Sequence, residues 1–209
     1  DLLSLTKPEL IKRIHRDFLE AGANIICTNT FNATSIAQSD YGLEEFVYEL
    51  NMRSAEITRS AIEEFNESNS QNTDYYVAGV LGPTNKTASI SPNVEDPAAR
   101  GITFDELVSS YREACNGLLD GGVDLLMIET VFDTLNAKAA IFAIENTLLE
   151  RKKKLPLIIS GTITDKSGRT LTGQTAEAFW NSIRHAEPLA VGLNCALGAK
   201  DLKPYIEDL

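Results

Sequence analysis

The chain has 209 residues, 43% of them hydrophobic and 23% charged, which is enough apolar content to bury the core of a single domain. A formal net charge of -11 argues against a nucleic-acid partner, because phosphate binding needs clustered Lys and Arg; the only basic run, Arg151-Lys152-Lys153-Lys154, reads as a solvated helix C-terminus. No apolar run reaches bilayer length, the first residues lack a secretion signal, and three widely spaced cysteines make a poor disulfide framework, so a soluble cytoplasmic protein with no membrane partner is expected.

Pro8 to Ala21 opens the pattern as a helix, with Thr6 as its N-cap, Leu10, Ile11, Ile14 and Phe18 at helical spacing, and Gly22 as the stop. A strand over Ala23 to Cys27 follows. The next helical region runs from about Ser35 to Phe65, broken near Tyr41-Gly42, and ends in the polar stretch Asn66 to Asp74. Strand Tyr76 to Leu81 leads into a Gly-, Pro-, Asn- and Ser-rich excursion, Gly82 to Arg100, whose length is typical of functional loops. Thr103 and Glu106 form a capping box for a helix carrying Leu107, Tyr111, Ala114 and Leu118 on one face, which Gly121-Gly122 closes. Strand Val123 to Ile128 precedes an Ala- and Leu-rich helix over Asp133 to Glu150. Strand Leu155 to Ile163 passes through the turn Asp165-Lys166-Ser167-Gly168 to a helix around Thr175 to His185. Strand Leu189 to Asn194 leads to a last helix, Ala199 to Leu209.

Alternation of buried strands with amphipathic helices predicts an α/β fold with a parallel sheet and right-handed crossovers. Periodicity does not fix whether the sheet closes. A (β/α)8 TIM barrel takes about 250 residues, so a barrel reading makes residues 1–209 one partial barrel domain, an incomplete piece holding about strands 2 to 6 with their helices.

Polar residues gather where these strands end: Cys27-Thr28-Asn29-Thr30, Gly82-Pro83-Thr84-Asn85, Glu129-Thr130, Gly161-Thr162 and Asn194-Cys195. Functional side chains of strand-helix repeats collect at such tips. Asn29, Asn85, Thr130 and Thr162 serve equally well as loop hydrogen-bonding groups or as substrate contacts. Glu129, directly after Leu125-Leu126-Met127-Ile128, places an acid at a buried position and needs a cation, either an Arg or Lys of the chain or a substrate amine. Cys115 reads as small core filler on a helix and Cys27 as filler or a second strand-end thiol. No Cys-x-x-Cys, Gly-x-Gly-x-x-Gly or phosphate-binding loop is present, so the chain carries no self-contained zinc or nucleotide motif.

Five segments carry a resemblance: Gly22-Ala23-Asn24-Ile25-Ile26-Cys27-Thr28-Asn29-Thr30-Phe31-Asn32, Val77 to Thr87 with its Gly-Pro-Thr-Asn loop, Ile128-Glu129-Thr130-Val131-Phe132-Asp133-Thr134, Ser160-Gly161-Thr162-Ile163 and Gly192-Leu193-Asn194-Cys195-Ala196-Leu197-Gly198. Together they resemble the homocysteine-binding module of cobalamin-dependent methionine synthases, from the first helix to the last residue. The resemblance implies an eight-stranded barrel whose zinc is held by three cysteine thiolates, with Cys195 matching the first and the other two in a later Gly-Gly-Cys-Cys segment that these residues do not contain. It implies that Glu129 contacts the homocysteine amino group, with Asn194 and Thr162 completing the substrate-binding set. The family has Glu where Cys27 stands, so Cys27 is not assigned as a ligand. A free thiol has a pKa of about 8.5 and is mostly protonated near neutrality; zinc coordination makes the homocysteine sulfur a thiolate nucleophile. The resemblance further implies methyl transfer from methylcobalamin to give methionine, and folate, cobalamin and reactivation modules elsewhere in the same polypeptide. A donor such as betaine or S-methylmethionine, and a noncatalytic truncated barrel, are the alternatives.

Overall fold

A computed structural model describes residues 1–69 and 73–209. Its sheet has five strands, β1 (Ile25–Cys27), β2 (Tyr76–Leu81), β3 (Leu125–Val131), β4 (Leu157–Gly161) and β5 (Ala190–Leu193), all parallel and ordered as they occur along the chain. The helices are α1 (Leu3–Thr6), α2 (Pro8–Glu20), α3 (Ser35–Gln38), α4 (Val47–Ser68), α5 (Phe104–Asp120), α6 (Thr134–Glu150), α7 (Ala176–Ile183) and α8 (Ala199–Glu207). The arrangement is an incomplete TIM-barrel piece, five successive strands with their helices.

Alternation along each strand separates two faces. One set, Ile26, Val77, Leu81, Leu126, Ile128 and Ile159, is buried in the core with Leu118, Ile141, Ile144 and Phe179 of the helices. Glycines in this set let helix side chains close onto the sheet: a Cβ at Gly161 would meet the Phe179 ring at 2.8 Å. The opposite set, Ile25, Cys27, Tyr76, Met127, Glu129, Ile158 and Asn194, lines the inner face, where Ile25 and Tyr76 remain exposed.

Several boundaries differ from the sequence expectation. Thr6 does not cap α2: residues 3–6 form their own turn, the Thr6 hydroxyl donates to the Leu2 carbonyl, and Lys7, outside the helical region just ahead of Pro8, takes the cap position. The break expected near Tyr41-Gly42 spans two short 3-10 turns, with Gly42 at φ 64. The Thr103–Glu106 capping box forms as expected, Thr103 N–H donating to Glu106 Oε2 at 2.8 Å and Glu106 N–H to Thr103 Oγ1 at 3.2 Å. The basic run is not uniformly solvated, because Arg151 pairs with Asp120 and donates to Asn116 Oδ1 at 2.8 Å, clamping α6 to α5. Lys152, Lys153 and Lys154 are exposed.

Candidate functional site

The C-terminal ends of β3, β4 and β5 form the rim on which the predicted residues meet. Strand β3 bulges between Ile128 and Val131, where its register with β4 shifts, and Thr130 adopts φ 60. Such bulges re-aim side chains beside functional sites. The bulge carries Glu129 and Thr130 along the inner face at the sheet's upper end. Glu129 is half-buried and forms no ion pair among the described residues. Desolvation raises its carboxyl above the ordinary range. Of the two partners considered for this acid, an Arg or Lys of the described chain is therefore not the one present.

Cys195 follows β5 at φ 58 and is exposed on the rim. Asn194 organises its surroundings. The amide nitrogen of Asn194 donates to Cys195 Sγ at 3.1 Å and to Thr130 Oγ1 at 2.8 Å, while Ser160 Oγ donates to Asn194 Oδ1 at 2.8 Å. Thr130 Oγ1 stands 3.9 Å from Cys195 Sγ. Residues at the ends of three adjacent strands thus meet at the Asn194 amide, and two of them, Thr130 and Asn194, reach the sulfur. Thr162 lies next to this group: its N–H extends the ladder to the Val131 carbonyl, but its buried Oγ1 has no hydrogen-bond partner among the described residues. An orphaned buried hydroxyl is costly unless a ligand or water satisfies it.

The remaining strand-tip groups have structural partners. Asn29 donates to Ser4 Oγ at 3.2 Å, tying α1 to the loop after β1, and Asn85 donates to Asp40 Oδ2 at 2.6 Å. Thr84 accepts from Asn136 Nδ2 at 2.6 Å and donates to the Lys86 carbonyl, and Ser89 donates to Asp133 Oδ1, so the excursion after β2 is fastened to the start of α6. Cys27 sits on β1, with β2, β3 and β4 between it and the strand that delivers Cys195. Its thiol is exposed, and it is raised by desolvation first and by the Glu129 carboxylate second. Cys115 is buried in α5 and burial pushes its thiol up to about 12, the behaviour of core filler.

As a metal ligand Cys195 has the right chemistry: an exposed, soft sulfur that already receives an N–H donor, as thiolate ligands do. It fits one position of a cysteine zinc site. Among the described residues no three His, Cys, Asp or Glu side chains converge as a metal cluster, so the ligands present amount to that single thiol.

A parallel sheet of successive strand-helix units, with an acid and a hydroxyl unpaired among the described residues and a thiol on the C-terminal rim, has the architecture of barrel-type α/β proteins, whose functional groups collect where the strands end. The chain belongs to the homocysteine S-methyltransferase family, whose sequence model matches residues 1–209. Among solved structures it is similar to the homocysteine methyltransferase MmuM of Escherichia coli. The metallated form aligns with a TM-score of 0.76 and 24% identity, covering 95% of this chain and 67% of that one. The apo form aligns at 0.69 and 22%, covering 95% and 66%. The oxidized form aligns at 0.63 and 18%, covering 99% and 86%. At these identities the likeness shows the fold, and the chain spans about two thirds of the length of the metallated and apo structures.

Proposed function

We propose that this chain binds and activates homocysteine for methyl transfer, and that it is the homocysteine module of a cobalamin-dependent methionine synthase. The observation that carries the reading is the convergence of Cys195, Asn194, Thr130 and Ser160 on the rim that also bears the unpaired Glu129. Cys195 supplies one zinc thiolate; the metal, when bound, makes the homocysteine sulfur a nucleophile. Glu129 takes the substrate ammonium as its cation, Thr162 offers its unused hydroxyl, and Asn194 borders the sulfur position. Methylcobalamin is the proposed donor, held by a further module of the polypeptide together with folate-binding and reactivation modules, in the cytoplasm. The support for this donor is the run of motifs around Gly82-Pro83-Thr84-Asn85 and Glu129 to Asp133.

In the full-length protein, Cys195→Ser is expected to abolish zinc binding and homocysteine methylation; a variant that keeps both removes Cys195 from the site. Glu129→Gln is expected to raise the homocysteine KM by about tenfold or more, the loss of one charge-assisted contact. Because desolvation lifts the Glu129 carboxyl, the acid takes up its proton at a higher pH than usual, and wild-type KM rises as pH falls through that range. The glutamine variant lacks this dependence. Unchanged KM in Glu129→Gln leaves the acid with no part in binding. The family model and the likeness to MmuM name homocysteine methyl transfer without a donor, so the second reading is a homocysteine methyltransferase using S-methylmethionine or betaine. Turnover assayed with each donor in turn decides between them.

A further inference from the structure

Two residues in the left-handed backbone region stand beside each other on the rim, Thr130 at φ 60 and Cys195 at φ 58. A β-branched residue rarely occupies that region, where glycine is at ease. Such conformations persist where the surrounding structure holds them, and they cluster at functional sites. Here both serve one set of contacts. The two amide hydrogens of Asn194 are committed to Thr130 Oγ1 at 2.8 Å and Cys195 Sγ at 3.1 Å, and its carbonyl oxygen accepts from Ser160.

We propose that Thr130 is a positioning residue for the metal-binding thiol, acting through the side-chain amide of Asn194; the proposal rests on the reading of Cys195 as a zinc thiolate. A primary amide presents nearly the same shape after a half-turn, but with oxygen in place of nitrogen. Flipped, Asn194 would aim an acceptor at the sulfur lone pairs and lose both donor contacts. An acceptor-only thiolate selects the orientation that points N–H at Sγ; with the amide so turned, Thr130 accepts its second hydrogen and Ser160 donates to its oxygen, and the two hold the side chain in place. The bond to Sγ draws negative charge from a thiolate and fixes the direction of its lone pairs. Having accepted from Asn194, the Thr130 hydroxyl still has its own proton, with Cys195 Sγ 3.9 Å away. The threonine is kept at a position that favours glycine because the hydroxyl, not the backbone, does this work.

The test uses Thr130→Ser, Thr130→Val and Thr130→Gly in the full-length protein, read by zinc affinity in chelator competition, by thermal melting and by the division of any kinetic change between kcat and KM. Removal of an outer partner of a metal ligand lowers metal affinity by about 10- to 100-fold. Valine and glycine are expected to show that loss and serine to restore affinity. Glycine also relieves the backbone, so it is expected to melt no lower than wild type while binding zinc weakly, a split that a purely structural threonine does not produce. Ser160→Ala, which frees the same amide, is expected to shift zinc affinity in the same direction. Wild-type affinity in the valine or glycine variant overturns the proposal, as does failure of serine to rescue. If Cys195→Ser retains full zinc, or the wild type binds none, the underlying reading falls and this one with it. If Cys195→Ser loses zinc while the valine and glycine variants keep it, only the role of Thr130 falls.

Discussion

The loop leaving β2 crosses the loop after β1 at Gly82, where an added Cβ would lie 2.0 Å from the Phe31 carbonyl oxygen. The neighbouring atom is backbone and cannot swing aside. Gly82 also gives its carbonyl to the buried Tyr111 hydroxyl at 3.1 Å, so moving the loop breaks a second contact. Gly82→Ala is therefore expected to cost about 1–3 kcal/mol of stability, measured by chemical denaturation; a variant as stable as wild type refutes the close approach. Individual site residues differ in how well the sequence announces them. Glu129 and Cys195 are conspicuous because each ends an apolar run and neither belongs in a core. Thr130, Ser160 and Asn194 are ordinary loop and strand residues by type. Their partnership depends on the register of three strands and on a bulge, and no spacing along the chain encodes that.

Helix α2 packs on α4 through a buried histidine: His15, 6% exposed, lies with Nε2 3.1 Å from Thr58 Oγ1. Burial lowers its pKa to about 4, so the folded protein keeps the ring neutral where the unfolded chain would protonate it. The sign follows: above the unfolded value near 6.5 the packing is undisturbed, and as pH falls from there toward 4 the unfolded state gains a proton that the folded state refuses. Stability is expected to drop by about 3 kcal/mol between pH 7 and pH 4 on this account, and His15→Asn to flatten that slope in denaturant titrations. A slope unchanged in the variant assigns the acid sensitivity elsewhere. Among the elements themselves, β2 is legible to the residue because an apolar run sits between turn signals, and α5 because its capping box and glycine pair mark both ends. Strand β3 reads as ending at Ile128 or Glu129, where its apolar run gives way to polar tip residues; the ladder continues past them to Val131 through the bulge. The turn of α1 is hidden by the stronger helix signal of Pro8 just after it. Arg151 reads as one of four solvated basic residues because its acidic partner, Asp120, lies on a different helix.

Strands β1 and β5 are the edges of the described sheet, and the inner face between them exposes Ile25 and Tyr76, with Leu189 exposed beside β5. Unpaired edges and bare apolar surface recruit one another. The 209-residue chain expressed by itself is expected to self-associate, its sedimentation mass rising with concentration; a single monomeric species over a wide concentration range contradicts this. The α/β class and five strands follow from periodicity alone, whereas curvature toward a barrel enters only through the family resemblance and the fold match, because an open and a closed parallel sheet share the same apolar pattern. Strand order has one more effect. Each strand lies against the one made just before it, so a chain emerging from the ribosome can dock every new unit on a finished neighbour. Thr130 and Ser160 are synthesised before Asn194 and Cys195, and the thiol arrives where these two partners already stand. A newly made chain cannot present this sulfur in its final orientation until β3 and β4, which carry Thr130 and Ser160, have been laid down.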